Sequence, residues 1–110
     1  MKLRKDRRVT YAFTMDVPIN EETYKRIAAE LGPEPPQGMI CHMVVARGGG
    51  LRYIDIWESK EDWDRFQEER LHPVVDKVLA EAGFTTRPPE PEHELFDVRH
   101  LWSGQPVAVR

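Results

Sequence analysis

The stretch from Leu51 to Phe84, LRYIDIWESKEDWDRFQEERLHPVVDKVLAEAGF, constrains the fold more than any other part of the chain. It opens with alternation: Leu51, Tyr53, Asp55 and Trp57 fall on one face, Arg52, Ile54 and Ile56 on the other. That period of two predicts a strand. Ser59 follows as a helix N-cap, with Asp62 where a capping box usually has Glu. Trp63, Phe66, Leu71, Val74, Val75, Val78 and Leu79 then mark the buried side of a helix that runs to Gly83. Pro73 lacks an amide N–H, so the helix is expected to kink or split near His72.

The N-terminal half repeats the rhythm. Val9 to Asp16 alternates, with Val9, Tyr11, Phe13 and Met15 on one face, and predicts a first strand that Pro18 ends. Asn20 caps a helix whose first turn carries Glu21 and Glu22, which suit the positive end of the helix dipole. Tyr24, Ile27, Ala28 and Leu31 form its buried stripe, and Gly32 followed by Pro33 stops it. Met39 to Arg47 predicts a second strand that is apolar on both faces. Ile40, His42, Val44 and Ala46 share one face; Met39, Cys41, Met43 and Val45 share the other. Gly48, Gly49 and Gly50 supply a tight hairpin into the third strand. After a Pro-rich acidic loop, Leu95 to Trp102 is expected to be the fourth strand.

The order βαββαβ predicts an α+β fold of ferredoxin-like type: a four-stranded antiparallel sheet with both helices on one face. The other face keeps rows of apolar side chains, a patch larger than monomers usually expose. At about 25 cal/mol per Å², covering several hundred Å² contributes several kcal/mol, so the chain is expected to pair with itself, sheet against sheet, into an α+β barrel. The expected organisation is a basic arm at residues 1–8, one domain over 9–102 and a tail at 103–110.

A chain of 110 residues carries one domain of ordinary composition. Its net charge of −3 gives no reason to expect nucleic acid as a partner. Lys2, Arg4, Lys5, Arg7 and Arg8 crowd the start, where a solvated arm is the simplest expectation. The single Cys41 excludes an internal disulfide. No apolar run approaches the roughly 20 residues a bilayer span needs, and the basic start lacks a signal peptide's apolar core. Cytoplasmic location without a membrane partner is therefore the expectation. No spacing of His, Cys, Asp and Glu matches a metal site, and the GGG opens a strand rather than a phosphate-binding helix.

His42 and Asp55 are the candidate catalytic pair. A two-residue turn at Gly48–Gly49 pairs them directly across the hairpin; a turn at Gly49–Gly50 pairs His42 with Trp57, and a three-residue loop sets it opposite Ile56. A carboxylate beside an imidazole fixes its tautomer and strengthens it as a general base. The same pair also fits a purely structural polar contact inside a sheet. Tyr11, Phe13, Trp57, Trp63 and Phe66 are candidate walls of an aromatic-sized cavity, or simply core. His72, at the kink, and His100, on the face of Phe96, Val98 and Trp102, complete the candidate binding residues. His93 is read as a solvated loop residue.

The segments YAFTMDVP, LGPEPPQGMICHMVV, YIDIWESKEDWDRFQEERLHPVV and ELFDVRHL resemble the dimeric α+β barrel superfamily, and within it the small bacterial proteins near the antibiotic biosynthesis monooxygenase group. The resemblance covers about residues 9–102. It implies a homodimer with a cavity in each subunit between sheet and helices, holding a small apolar or aromatic molecule. Members include cofactor-independent oxygenases acting on aromatic polyketides, haem-degrading enzymes, isomerases and proteins without known activity. In the oxygenases a base deprotonates a phenol or enol, giving an electron-rich anion that reduces oxygen directly; His42 with Asp55 is the pair to test for that role. A non-catalytic binding or stress-response protein is the alternative. The haem-degrading members carry a Trp where Phe66 stands and a ligating His where Asp76 stands. Neither is present, and His72 lies about one helical turn too early, from where it could ligate only in a shifted position; no cofactor is expected.

Overall fold

The computed structural model describes residues 10–102 and 104. The expected basic arm, Val9 at the start of the first strand, and the tail apart from Gly104 lie outside the described residues. Within them the chain runs β1 (Tyr11–Val17), α1 (Glu21–Leu31), β2 (Met39–Arg47), β3 (Gly50–Trp57), α2 (Lys60–Phe66), a π-helical turn (Gln67–Leu71), α3 (His72–Glu81) and β4 (Glu94–Leu95). The strands form one sheet in the order β2-β3-β1-β4, and every neighbouring pair is antiparallel. The fold is α+β.

Local chemistry sets the helix boundaries. The Asn20 side chain accepts the Thr23 N–H at 2.8 Å, and α1 ends at Gly32, whose φ of +85° an L side chain resists. Ser59 caps α2 by accepting the Asp62 N–H at 3.1 Å and returns its own hydroxyl proton to Asp62 Oδ2. The expected split at Pro73 takes a definite form. The His72 N–H donates to the carbonyl of Gln67, five residues back, so the helix widens by one residue just before the proline. Pro73 then sits in the first turn of α3, where its missing N–H costs nothing.

The hairpin resolves the register left open by three glycines. Arg47 pairs with Gly50 around Gly48–Gly49, and Gly48 takes a φ of +59° at the first turn position, as type II′ turns require. His42 therefore lies directly opposite Asp55.

Two strand expectations are corrected. Met39 pairs with Trp57 but Cys41 pairs with Ile56, so β2 carries a bulge at Ile40. One extra residue flips the alternation: Met39, not Ile40, packs against the core, and Ile40 is exposed. The fourth strand covers only Glu94–Leu95 rather than Leu95–Trp102. One further backbone bond, Phe96 N–H to the Ala12 carbonyl, extends it before the chain leaves β1. Alternation is a side-chain property, and it becomes a strand only where a neighbouring backbone supplies the ladder. Past Phe96, Trp102 is 89 % exposed.

The core sits between helices and sheet. Phe13, Met15, Trp57 and Trp63 are buried together, with Phe66 and Leu71 packed around them. Those rings stack as tilted and edge-on pairs, Phe13–Trp63 at 5.0 Å and Trp57–Trp63 at 5.4 Å between centroids. The opposite face of the sheet carries Thr14, Ile54, Cys41 and Met43, the last 46 % exposed.

Candidate functional site

Two hydrogen-bonded chains of the same chemistry stand on the helix-covered face. In the first, His42 Nδ1 lies 2.8 Å from Asp55 Oδ1, and the Trp57 Nε1–H donates to Asp55 Oδ2 at 2.9 Å. A carboxylate only accepts, so in the neutral imidazole Nδ1 carries the proton and Nε2 is left as the acceptor. It takes the Tyr24 O–H at 2.9 Å. The chain thus runs Tyr24 to His42 to Asp55, closed from the other side by Trp57. The Asp55 side chain is 2 % exposed and that of His42 24 %. Burial, and then the charge of Asp55, raise the Tyr24 phenol above its ordinary value, so Tyr24 stays a donor.

The second chain joins β1 to the Pro-rich loop. Glu90 Oε2 accepts the His93 Nε2–H at 3.0 Å, which leaves Nδ1 to accept the Tyr11 O–H at 2.7 Å. The His93 ring lies flat on Phe13, 4.0 Å between centroids and 5° from parallel. His93 is thus a packed, fully hydrogen-bonded residue, not a solvated one. Its loop folds back along β1 and presents the ring to Phe13, and nothing in the spacing of PPEPEHE announces this.

Between α1, α3 and the sheet lies a cleft of about 1230 Å³. Met15, Val17 and Tyr53 form its sheet wall, and Ile27, Leu71, Val75 and Leu79 its helical walls. Trp63 and Gln67 close one end. The Gln67 amide is satisfied with its oxygen on Trp63 Nε1 at 3.0 Å and its nitrogen on Glu90 Oε2 at 3.3 Å. The widened helical turn therefore places a buried amide between the cleft and the second hydrogen-bonded chain. At the rim, Arg87 Nη1–H donates to both Asp76 oxygens at 2.9 Å.

The candidates from sequence divide accordingly. Trp63 and His72 line the cleft. Phe13 and Trp57 are wholly buried in the aromatic cluster, and Phe66 packs against it. Tyr11 belongs to the second chain and, with Lys60, Trp63 and Asp64, to a smaller hollow of about 230 Å³. His100 lies beyond β4, exposed, edge-on to Trp102 at 6.2 Å. His42 and Asp55 meet as the two-residue turn implies, yet neither forms part of the cleft wall. Tyr53 stands between them and it, its ring edge-on to His42 at 5.2 Å and to Tyr24 at 5.7 Å.

Periodicity and spacing do not mark Tyr24, Tyr53, Gln67, His93 or the Asp76–Arg87 pair as site residues. Tyr24 carried a usable signal: a tyrosine on a buried helical stripe needs a partner for its hydroxyl, and His42 is the polar residue on the facing strand. Among the described residues no group of His, Cys, Asp and Glu could hold a metal ion. No helix is long and apolar enough to cross a membrane among the described residues. No family model matches the chain, and no curated protein matches it either.

Proposed function

We propose that the chain binds a small, largely apolar, aromatic molecule in the cleft between sheet and helices. The observation that carries this is the cleft itself: about 1230 Å³, walled by aliphatic side chains and Trp63, with a few placed polar groups. Ligand sites have this character, and the volume suffices for a molecule of drug size. The strand order β2-β3-β1-β4 with helices on one face supports a ferredoxin-like reading, and with it membership of the dimeric α+β barrel superfamily. On the face away from the helices Ala12 and Ile56 are buried, Ile54 and Cys41 are half-buried and Met43 is exposed, and this remaining apolar surface supports pairing of two copies sheet to sheet. Light scattering at micromolar concentration tests the pairing; a single species at the mass of one 12.8 kDa chain contradicts it. Equilibrium dialysis against naphthalene-sized aromatics tests the binding site. Saturable binding that disappears in Leu79→Trp, which fills the cleft, is the expected result, and binding unchanged by that variant overturns it.

A second reading, a cofactor-independent monooxygenase, rests on the Tyr24–His42–Asp55 chain beside the cleft. The reaction would convert a ring CH₂, the keto tautomer of a phenol, to C=O. One oxygen atom of O₂ enters the carbonyl and the other leaves as water with the two hydrogens. The substrate supplies all four electrons, so no external reductant enters. Tyr24 occupies His42 Nε2 and keeps its own proton, so His42 acts as a base only when a substrate hydroxyl replaces that of Tyr24. Asp76, tied to Arg87, does not fit the haem-ligand position that the superfamily's haem-degrading members fill with histidine. Oxygen uptake matched one-to-one to quinone formed from an anthrone-type substrate tests this reading; turnover that survives His42→Ala removes His42 as the base.

A further inference from the structure

The geometry points to a neutral, flat ligand that enters the cleft carbonyl first and receives a hydrogen bond from the Tyr53 hydroxyl at its inner wall. The inference rests on the cleft being a binding site and names the class of molecule it selects.

Charge comes first. The cleft wall includes three charged side chains, Asp76, Arg87 and Glu90. Each is already answered: Arg87 Nη1–H donates to both Asp76 oxygens, and Glu90 accepts from His93 and faces the Gln67 amide. A carboxylate ligand would find only the N–H groups of Arg87 that Asp76 leaves over, would lie near two fixed carboxylates, and would shed its water to do so. A neutral molecule meets no such opposition, and the aliphatic walls favour one.

Hydrogen bonding decides the rest. Tyr53 lines the cleft, and among the described residues its hydroxyl has no hydrogen-bond partner, whereas Tyr11 and Tyr24 each hold a histidine. Its ring is clamped edge-on by Tyr24 and His42, so the hydroxyl is held in place while only its proton rotates. Burial raises the Tyr53 phenol well above its ordinary value, and Tyr24 and the Asp55 charge push the same way, so it faces a ligand as O–H. A phenol donates more strongly than it accepts, and a carbonyl oxygen is its natural complement. A flat aromatic body can then lie between Met15 on the sheet and Leu71, Val75 and Leu79 on the helices, with Trp63 at its edge.

The test is equilibrium dialysis of the full chain against three probes of one size: 1-acetonaphthone, 1-ethylnaphthalene and 1-naphthoate. The ketone is expected to bind about 10-fold more tightly than the hydrocarbon, the gain of one hydrogen bond to a donor that no protein group occupies, and naphthoate the least tightly. Tyr53→Phe is expected to erase the ketone's advantage and leave the hydrocarbon's affinity unchanged. Equal affinity of ketone and hydrocarbon for the unaltered protein, a comparison that needs no variant, overturns the role of Tyr53. An advantage that survives in Tyr53→Phe does the same, and naphthoate as the tightest ligand overturns the selection for neutral molecules. Hydrocarbon binding with no preference leaves the cleft a binding site and sinks this inference alone, whereas failure of all three probes sinks the binding reading beneath it.

Discussion

The two tyrosine–histidine–carboxylate chains use the same groups in opposite senses. In one, Tyr24 donates to Nε2 of His42 and Asp55 holds Nδ1; in the other, Tyr11 donates to Nδ1 of His93 and Glu90 holds Nε2. They differ most in their carboxylates. Asp55 is buried on β3, an interior strand of the sheet, and accepts from two side chains. Glu90 stands half-exposed in a loop, where water competes for every bond it makes. A buried carboxylate with two donors cannot be removed without orphaning both, whereas an exposed one is replaced by solvent. The inner chain is therefore a fixed part of the core. The outer chain holds a loop by the stacking of its histidine more than by its charge.

The contrast is sharpest in stability. Asp55→Ala leaves His42 Nδ1–H and Trp57 Nε1–H buried without an acceptor, and is expected to cost about 3–5 kcal/mol in urea unfolding. Asp55→Asn is expected to cost less, because its amide oxygen still accepts from Trp57 and its NH₂ can donate to a re-tautomerised His42. Equal losses in the two variants would show that packing, not hydrogen bonding, sets the value of this position.

The outer chain is expected to respond in reverse order. His93→Ala removes the ring stacked on Phe13 together with both hydrogen bonds and should cost about 1–3 kcal/mol. Glu90→Ala should cost less than about 1 kcal/mol, since its partner ring stays stacked and water replaces the carboxylate. A larger loss for Glu90→Ala than for Asp55→Ala in the same denaturant series would break the comparison outright.

The smallest effect is read from alkaline pH and unites the two chains. The chain has three tyrosines, Tyr11, Tyr24 and Tyr53, and burial raises all three above the ordinary value of 10.0. Above pH 10 the unfolded chain loses these protons first, so the folded state binds more protons and stability falls as pH rises. Below pH 10 the contribution is fully present. Absorbance of tyrosinate should therefore rise only beyond pH 10 in the native protein, and near pH 10 in denaturant. Coincident curves would show that neither chain shelters its phenol.

Much of this arrangement is written locally. Asn20, Ser59 and Gly32 announce the helix ends because caps and left-handed stops depend on the nearest few residues. The glycine turn leaves three registers open, and backbone pairing selects the one that sets His42 against Asp55. Pro73 tells of a break but not that it becomes a π-turn bringing Gln67 to Trp63 and Glu90. His93 over Phe13 and the tyrosine hydroxyls on two histidines depend on how a loop and a helix lie across a sheet.

The boundary between the two kinds of knowledge follows range. Period, caps and turns act over one to four residues, so strand and helix positions can be read along the chain, and so can a pair facing each other across a short hairpin. The bulge at Ile40, the early end of β4, the partners of Tyr11 and Tyr24 and the cleft in front of Tyr53 arise between segments far apart in sequence. Their energies come from packing and from satisfying buried polar groups, and neither has a partner to act upon until the chain has folded.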